Sequence, residues 1–308
     1  MAVGVRSAGR SSLVLVPLGG GPERALSLDP PPSLGRGLGG GCFDWLPDSS
    51  GLVYVAADGQ LWSATLDGTH RCLTSLGPGH ELTAPAVSPD GQSVAYVVDL
   101  AEVRCVGLGL SSGDRVLDAS HDFAMDPAWS PDSTSLVWMA WDRPDMPWDG
   151  AFVLRCDLAG GVVSTARRVD GQVQQPRPAA DGSLWSVSDE GGWLNLCREG
   201  VPVLVEPYEH AGPAWGPGQR SYAVSPDGRW AVVNRNEDGF GRLVLVDVST
   251  GTAVEIAKAV HGQLRWVGTT VTALRTGGRT PTQVVAYDLS RFQGPWERRT
   301  LLVGPAAE

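Results

Sequence analysis

Five histidines set among carboxylates are the first side chains of this 308-residue chain that can do chemistry. His80 is followed by Glu81, His121 by Asp122 and, a little later, Asp126, while Glu209 precedes His210 and His261 stands apart. Imidazole changes charge near neutral pH and is a common metal ligand, so four rings brought together can hold an ion or work as an acid–base pair. A second candidate is Gly109-Leu110-Ser111-Ser112-Gly113, a match to the G-x-S-x-G pattern that lifts a nucleophilic serine on a strand-to-helix turn. A third is Trp141-Asp142-Arg143-Pro144-Asp145-Met146-Pro147-Trp148-Asp149-Gly150, which packs two tryptophans, a methionine and several carboxylates around one arginine. Conserved or not, a segment of this density reads either as a self-packed turn with Arg143 paired to an aspartate or as a recognition element.

What these residues can do depends on the elements that carry them. Ser88-Pro89-Asp90-Gly91 has the residue preference of a type I turn and lies between two runs of β-branched and aromatic residues, so it reads as a tight hairpin. The unit recurs at Trp45-Leu46-Pro47-Asp48, Trp129-Ser130-Pro131-Asp132 and Val224-Ser225-Pro226-Asp227-Gly228, with a degenerate copy at Pro178-Ala179-Ala180-Asp181-Gly182. Pro47, Pro89 and Pro131 are 42 residues apart, and Pro131 to Pro226 is 95, about two periods. A period in the forties with about four short strands per copy marks a β-propeller. The fold expected is therefore all-β: a seven-bladed propeller in one domain, 1–308. Its blades fall near 1–30 (partial, with the innermost strand missing), 40–78, 83–119, 125–169, 173–207, 219–258 and 262–304. A six-bladed TolB-like ring, closed by the N-terminal strands on the last blade, is the alternative.

The repeat register sorts the candidates. Gly109–Gly113 occupies the slot of Leu66-Asp67-Gly68 and Val248-Ser249-Thr250-Gly251, a third-to-fourth-strand hairpin with no helix after it, so it is not a nucleophile elbow. His80, His121, His210 and His261 each fall in the segment leading into an innermost strand, and those segments share one face. The Trp141–Gly150 segment joins the second and third strands of its blade and rises on that same face. A propeller mouth is wide and metal ligands must converge on one ion, so solvated or hydrogen-bonded histidines are expected there, with no metal and no cofactor.

Composition bounds the partners. Lys and Arg number 24 against 34 Asp and Glu, a formal charge of -10, and no basic run is present, which argues against nucleic acid. No run approaches the ~20 apolar residues that cross a membrane. Ser11–Pro17 is too short for a signal-peptide core. Cys42, Cys72, Cys105, Cys156 and Cys197 form no CxxC pair and read as reduced core thiols inside apolar strands, so a cytoplasmic location is expected.

The run from Ser130-Pro131-Asp132 through Trp138, Trp141-Asp142, Pro144 and Met146-Pro147-Trp148-Asp149-Gly150 resembles the propeller of the prolyl oligopeptidase family, in its acylaminoacyl-peptidase-like branch. Val187-Ser188-Asp189-Glu190-Gly191-Gly192-Trp193-Leu194-Asn195-Leu196 is similar to the same family's SD-x-x-G-W-x-N-L strand pair. The Pro-Asp turns are shared with TolB-type, WD40-like propellers. The resemblance implies a companion α/β-hydrolase domain with a Ser-Asp-His triad, which these residues do not contain, so no catalytic residue is carried over. Gly35–Gly41 stands where the family has a Tyr-Gly-Gly substrate-contact segment, and no contact is carried over there either. The expected function is a non-catalytic propeller that gates or filters peptides for a peptidase, binding a peptide, a small ligand or a hydrolase domain in trans. The alternatives are a stand-alone propeller enzyme and a protein-interaction scaffold. The candidate contact face comprises His80, Glu81, His121, Asp122, Trp141, Asp142, Arg143, Trp148, His210 and His261.

Overall fold

The computed structural model describes residues 1–7, 9–34, 41–109 and 113–304. Ser111 of the G-x-S-x-G match, and all but the last residue of Gly35–Gly41, lie outside the described residues. Among those described there is no helix; strands form seven antiparallel sheets, six of four strands and one of three. The chain is a seven-bladed β-propeller.

Blade 1 is the three-stranded one, Ala2–Ser7, Arg10–Leu15 and Arg24–Ala25. Its last strand leads onward to blade 2 as the outermost strand does elsewhere, so the strand it lacks is the innermost. The remaining blades begin at innermost strands Phe43–Trp45, Leu82–Val87, Phe123–Trp129, Val173–Pro178, Tyr222–Val224 and Val260–Val267. Blade 1 packs on blade 2 through Leu13, Leu52 and Tyr54, and the Arg299 guanidinium of blade 7 donates to the Leu18 carbonyl at 2.9 Å. Those contacts close the ring around an independent seventh sheet.

The three Pro-Asp turns that begin with serine hold by the same bonds. The Ser88 hydroxyl donates to Asp90 and accepts from the Ser93 N–H at 2.9 Å, and the Gly91 N–H donates to the Ser88 carbonyl at 2.8 Å. Ser130 and Ser225 repeat the pattern with Asp132 and Asp227. Each turn launches a second strand that is covered on both faces by neighbouring blades, and Ser135–Trp141 is buried along its whole length. A strand buried on two faces carries a continuous apolar run, so the alternation expected of strands here is confined to outer ones such as Val162–Val169. Trp138, fully buried between blades 3 and 4, would cost about 3–5 kcal/mol if truncated to alanine. No two cysteines are joined; Cys72 is exposed on an outermost strand, not inside the core as expected, and the other four are buried.

One irregularity positions the site. Ala84, Asp126, Gln175 and Gln263 occupy equivalent places in their innermost strands, all with φ between 50 and 57°. The pairing register slips at each of them. A bulge turns a side chain away from the blade-facing alternation, and here it turns toward the ring's axis.

Candidate functional site

The expected histidine ring resolves into two kinds of local bond. In blade 3 the Asp99 carboxylate accepts from His80 Nδ1 at 2.7 Å and from the Glu81 N–H at 2.8 Å. In blade 4 Asp142 accepts from His121 Nδ1 at 2.9 Å and from the Asp122 N–H at 2.8 Å. Blade 5 keeps the aspartate but not the imidazole: Asp189 accepts from the Gln172 N–H at 2.7 Å, and Gly171 stands where the histidine would be. A Cβ at Gly171 would lie 2.5 Å from the Asp189 carboxylate. The pattern is a latch that ties each incoming loop to the end of the second strand, and a partly exposed imidazole is one version of it.

His210 and His261 are buried outright. His210 accepts the Leu196 N–H on Nδ1 at 3.0 Å and donates from Nε2 to Glu206 at 2.8 Å. Arg235 meets the other oxygen of Glu206 at 3.1 Å. Burial would raise the Glu206 pKa, but the bonds from His210 and Arg235 outweigh it and hold the carboxyl below its ordinary value. His261 donates from Nδ1 to the Ala259 carbonyl at 3.0 Å and accepts the Tyr287 hydroxyl on Nε2 at 2.8 Å. Burial drives its pKa down to about 4, so it is neutral at physiological pH. Among the described residues no three His, Cys, Asp or Glu side chains are gathered as metal ligands would be.

Trp141 closes the strand Ser135–Trp141 rather than standing in the loop, and it is buried, stacked on Phe123 with ring centroids 4.8 Å apart. The loop after it is self-packed: Arg143 donates to Asp122 from its backbone at 2.9 Å and its guanidinium at 2.7 Å. That pairing holds Asp122 at about 2. Trp148 and Met146 remain exposed. By the up-and-down order of the strands, Trp193, Trp215 and Phe240 belong to loops on this same face, and all three are exposed. These and Trp148 are the exposed tryptophan and phenylalanine side chains among the described residues.

On that face the channel is bridged. Gly218, in the loop entering blade 6, donates its N–H to Asp126 of blade 4 at 2.5 Å, and its carbonyl accepts from Gln263 of blade 7 at 2.9 Å. A Cβ at Gly41, at the entry to blade 2, would lie 3.2 Å from the Gly218 Cα. A residue that meets blades 2, 4 and 7 from the threshold of blade 6 sits on the axis. The bulged side chains of Asp126 and Gln263 hold it there.

Beneath this bridge lies a group the sequence analysis passed over. Arg177, Arg220 and Arg265 line a cavity of about 290 Å³ together with Trp185, Tyr222 and Trp266. Ser225 and Pro226 at its edge belong to the Pro-Asp turn, so the cavity occupies the half of the channel toward the turn face. Arg177 donates to the Gln219 carbonyl at 2.5 Å and lies over the Tyr222 ring at 5.2 Å, while its Nη1 is buried with no partner. Arg265 approaches Asp44 no closer than 3.9 Å. Burial, and after it the neighbouring guanidinium groups, lower the Arg220 pKa. Burial raises the Asp126 pKa against the pull of the Gly218 N–H, Arg177 and Arg220. A signal was available: the slot of Arg177 and Arg265 holds alanine at Ala86, Ala128 and Ala223.

No family model matches this chain, and no curated protein does. Solved structures do. A puromycin-hydrolyzing peptidase of Mycobacterium tuberculosis superposes with a TM-score of 0.81 at 24% identity, over 96% of this chain and 50% of that one. A TolB from Acinetobacter baumannii gives 0.55 at 17% identity, over 84% and 62%. An oligogalacturonate lyase from Vibrio parahaemolyticus gives 0.64 at 12%, over 98% and 84%. The chain spans half the length of the puromycin hydrolases it matches, and the shared half is the propeller. Its fold is that of the propeller half of these peptidases, with TolB-type propellers as further neighbours.

Proposed function

We propose that this chain is a non-catalytic propeller that gates and filters short peptides for an α/β-hydrolase of the acylaminoacyl-peptidase-like type. The observation that carries the reading is the loop face: Trp148, Trp193, Trp215 and Phe240 are exposed there, and Gly218 bridges the channel mouth on the same side. Exposed aromatic rings at that density mark an interaction surface. Gly218 itself is held across the channel by two hydrogen bonds, one to Asp126 and one from Gln263. The match to half of a two-part peptidase supports a hydrolase domain as the occupant of that face.

The test has two arms. The purified chain is assayed on acyl-amino-acid and dipeptide p-nitroanilides, with no turnover expected; hydrolysis that survives purification, or a covalent adduct with a fluorophosphonate, overturns the non-catalytic reading. An α/β-hydrolase domain is then titrated onto the immobilised chain, with binding expected for wild type and weakened for Trp148→Ala. A Trp148→Ala variant that binds as well as wild type removes that loop from the interface. The second reading, an enzyme in its own right, is favoured by the His121–Asp142 pair, in which the imidazole retains partial exposure. It requires that His121→Ala abolish whatever turnover is found.

A further inference from the structure

We infer that the channel cavity beneath the Gly218 bridge is a binding site for a small organic carboxylate, held by Arg177, Arg220 and Arg265 against the Trp185, Tyr222 and Trp266 rings. The inference stands on the cavity itself and does not require a hydrolase partner.

The charge count of the channel comes first. Among the described residues, the cavity gathers Arg177, Arg220 and Arg265, with Asp44 and Asp126 as the acidic groups that act on them. Three cations face two carboxylates, in a protein whose formal net charge is -10. The internal counterions are also partly committed elsewhere. Asp126 accepts the Gly218 N–H, and Asp44 accepts the Val87 N–H at 3.0 Å while standing 3.9 Å from Arg265. Neither carboxylate makes a close bidentate pair with an arginine. Among the described residues, no carboxylate pairs with an arginine of the cluster at hydrogen-bond distance.

The second observation is the Nη1 of Arg177, buried and without a partner. A buried guanidinium donor left unpaired is costly. Arginine forks match the oxyanion geometry of carboxylates. The third is the wall: Trp185, Tyr222, Trp266, Leu264 and Pro178 make most of the lining apolar. Few polar anchors in a largely apolar concavity describe a small-molecule site. A volume of about 290 Å³ admits a molecule the size of a dipeptide or a dicarboxylic acid, at the lower end of ligand cavities. The apolar, aromatic wall favours an organic carboxylate over a hydrated inorganic anion.

Trp185 and Trp266 provide the readout, since a ligand against them changes their fluorescence. The intact chain is titrated with glutarate, Ala-Ala, Ala-Ala-amide and inorganic phosphate at fixed ionic strength. Saturable binding of glutarate or Ala-Ala is expected. Discrimination of Ala-Ala over its amide assigns the carboxylate to a peptide end; equal binding of glutarate assigns it to free acids, and either supports the site. Arg265→Gln, which removes a partly exposed side chain and should leave the fold intact, is expected to weaken binding by about tenfold or more. Asp126→Asn keeps an acceptor for the Gly218 N–H while removing a competing charge, so it is expected to tighten binding several-fold. A structural defect would not strengthen binding. No saturation by either carboxylate, saturation by phosphate alone, or identical affinities in wild type and Arg265→Gln overturns the inference. Failure of the hydrolase-docking test leaves this result untouched.

Discussion

Gln175 offers the sharpest test of how the seam beside the cavity is held. Its side chain is buried at φ 56°, and its Oε1 accepts the Ser221 N–H at 2.8 Å and the Ser221 hydroxyl at 3.2 Å. Its Nε2 donates to the Gln174 Oε1 at 2.9 Å. Gln175→Ala leaves the Ser221 N–H and the Gln174 carbonyl without partners in the buried seam between blades 5 and 6. One orphaned backbone donor costs about 1–3 kcal/mol and the orphaned amide oxygen adds about 1. Freedom regained by losing an ordered glutamine offsets about 1 kcal/mol, so the net loss is about 1–3 kcal/mol. The backbone conformation itself is not the issue, since Ala84 adopts φ 50° in the equivalent place. For 308 residues that loss corresponds to a fall in melting temperature of about 2–5 °C. Urea unfolding followed by tryptophan fluorescence measures it as a lower midpoint at unchanged slope. Gln175→Met fills the same space without the bonds and is expected to be nearly as damaging. If methionine restores wild-type stability, packing and not hydrogen bonding holds the seam, and the reasoning is wrong.

Two further outcomes follow from the same geometry. His261 has its pKa depressed from 6.5 to about 4 by burial, so the unfolded chain takes a proton that the folded chain refuses. Stability from this group is present above pH 6.5 and is lost as pH falls toward 4, by about 3 kcal/mol in all; His261→Gln should flatten that part of the stability–pH curve, and a curve parallel to wild type argues against it. Gly171→Ala places a Cβ 2.5 Å from the Asp189 carboxylate at φ 146°, which should break the latch to the Gln172 N–H at a cost of about 1–3 kcal/mol; an unchanged unfolding midpoint would show that the latch bears no strain.

The blades were legible because their determinants are local. A Pro-Asp turn needs only its own few residues, so its recurrence at Pro47, Pro89 and Pro131, 42 residues apart, marks successive hairpins. The position of the candidate face was legible for the same reason, since strand parity alone puts the Trp148 loop and the histidine loops on one side. The chemistry of the histidines was not. His80 and His121 differ from His210 and His261 in what lies over them: the first pair meets an aspartate of its own blade at a partly exposed edge, and the second is covered from every side.

Taken alone, then, the sequence determined the repeated blades, their turns and the three-stranded N-terminal segment, because each is written within a stretch short enough to fold on itself; that this segment forms a seventh sheet of its own and not part of the last blade was decided by the tertiary structure. Only the tertiary structure decided which side chains meet at the axis. Gly218 and Asp126 are 92 residues apart, and Arg177, Arg220 and Arg265 come from three blades. Closing the ring brings those side chains within reach of one another, and charges that would be independent in an extended chain become a single electrostatic site.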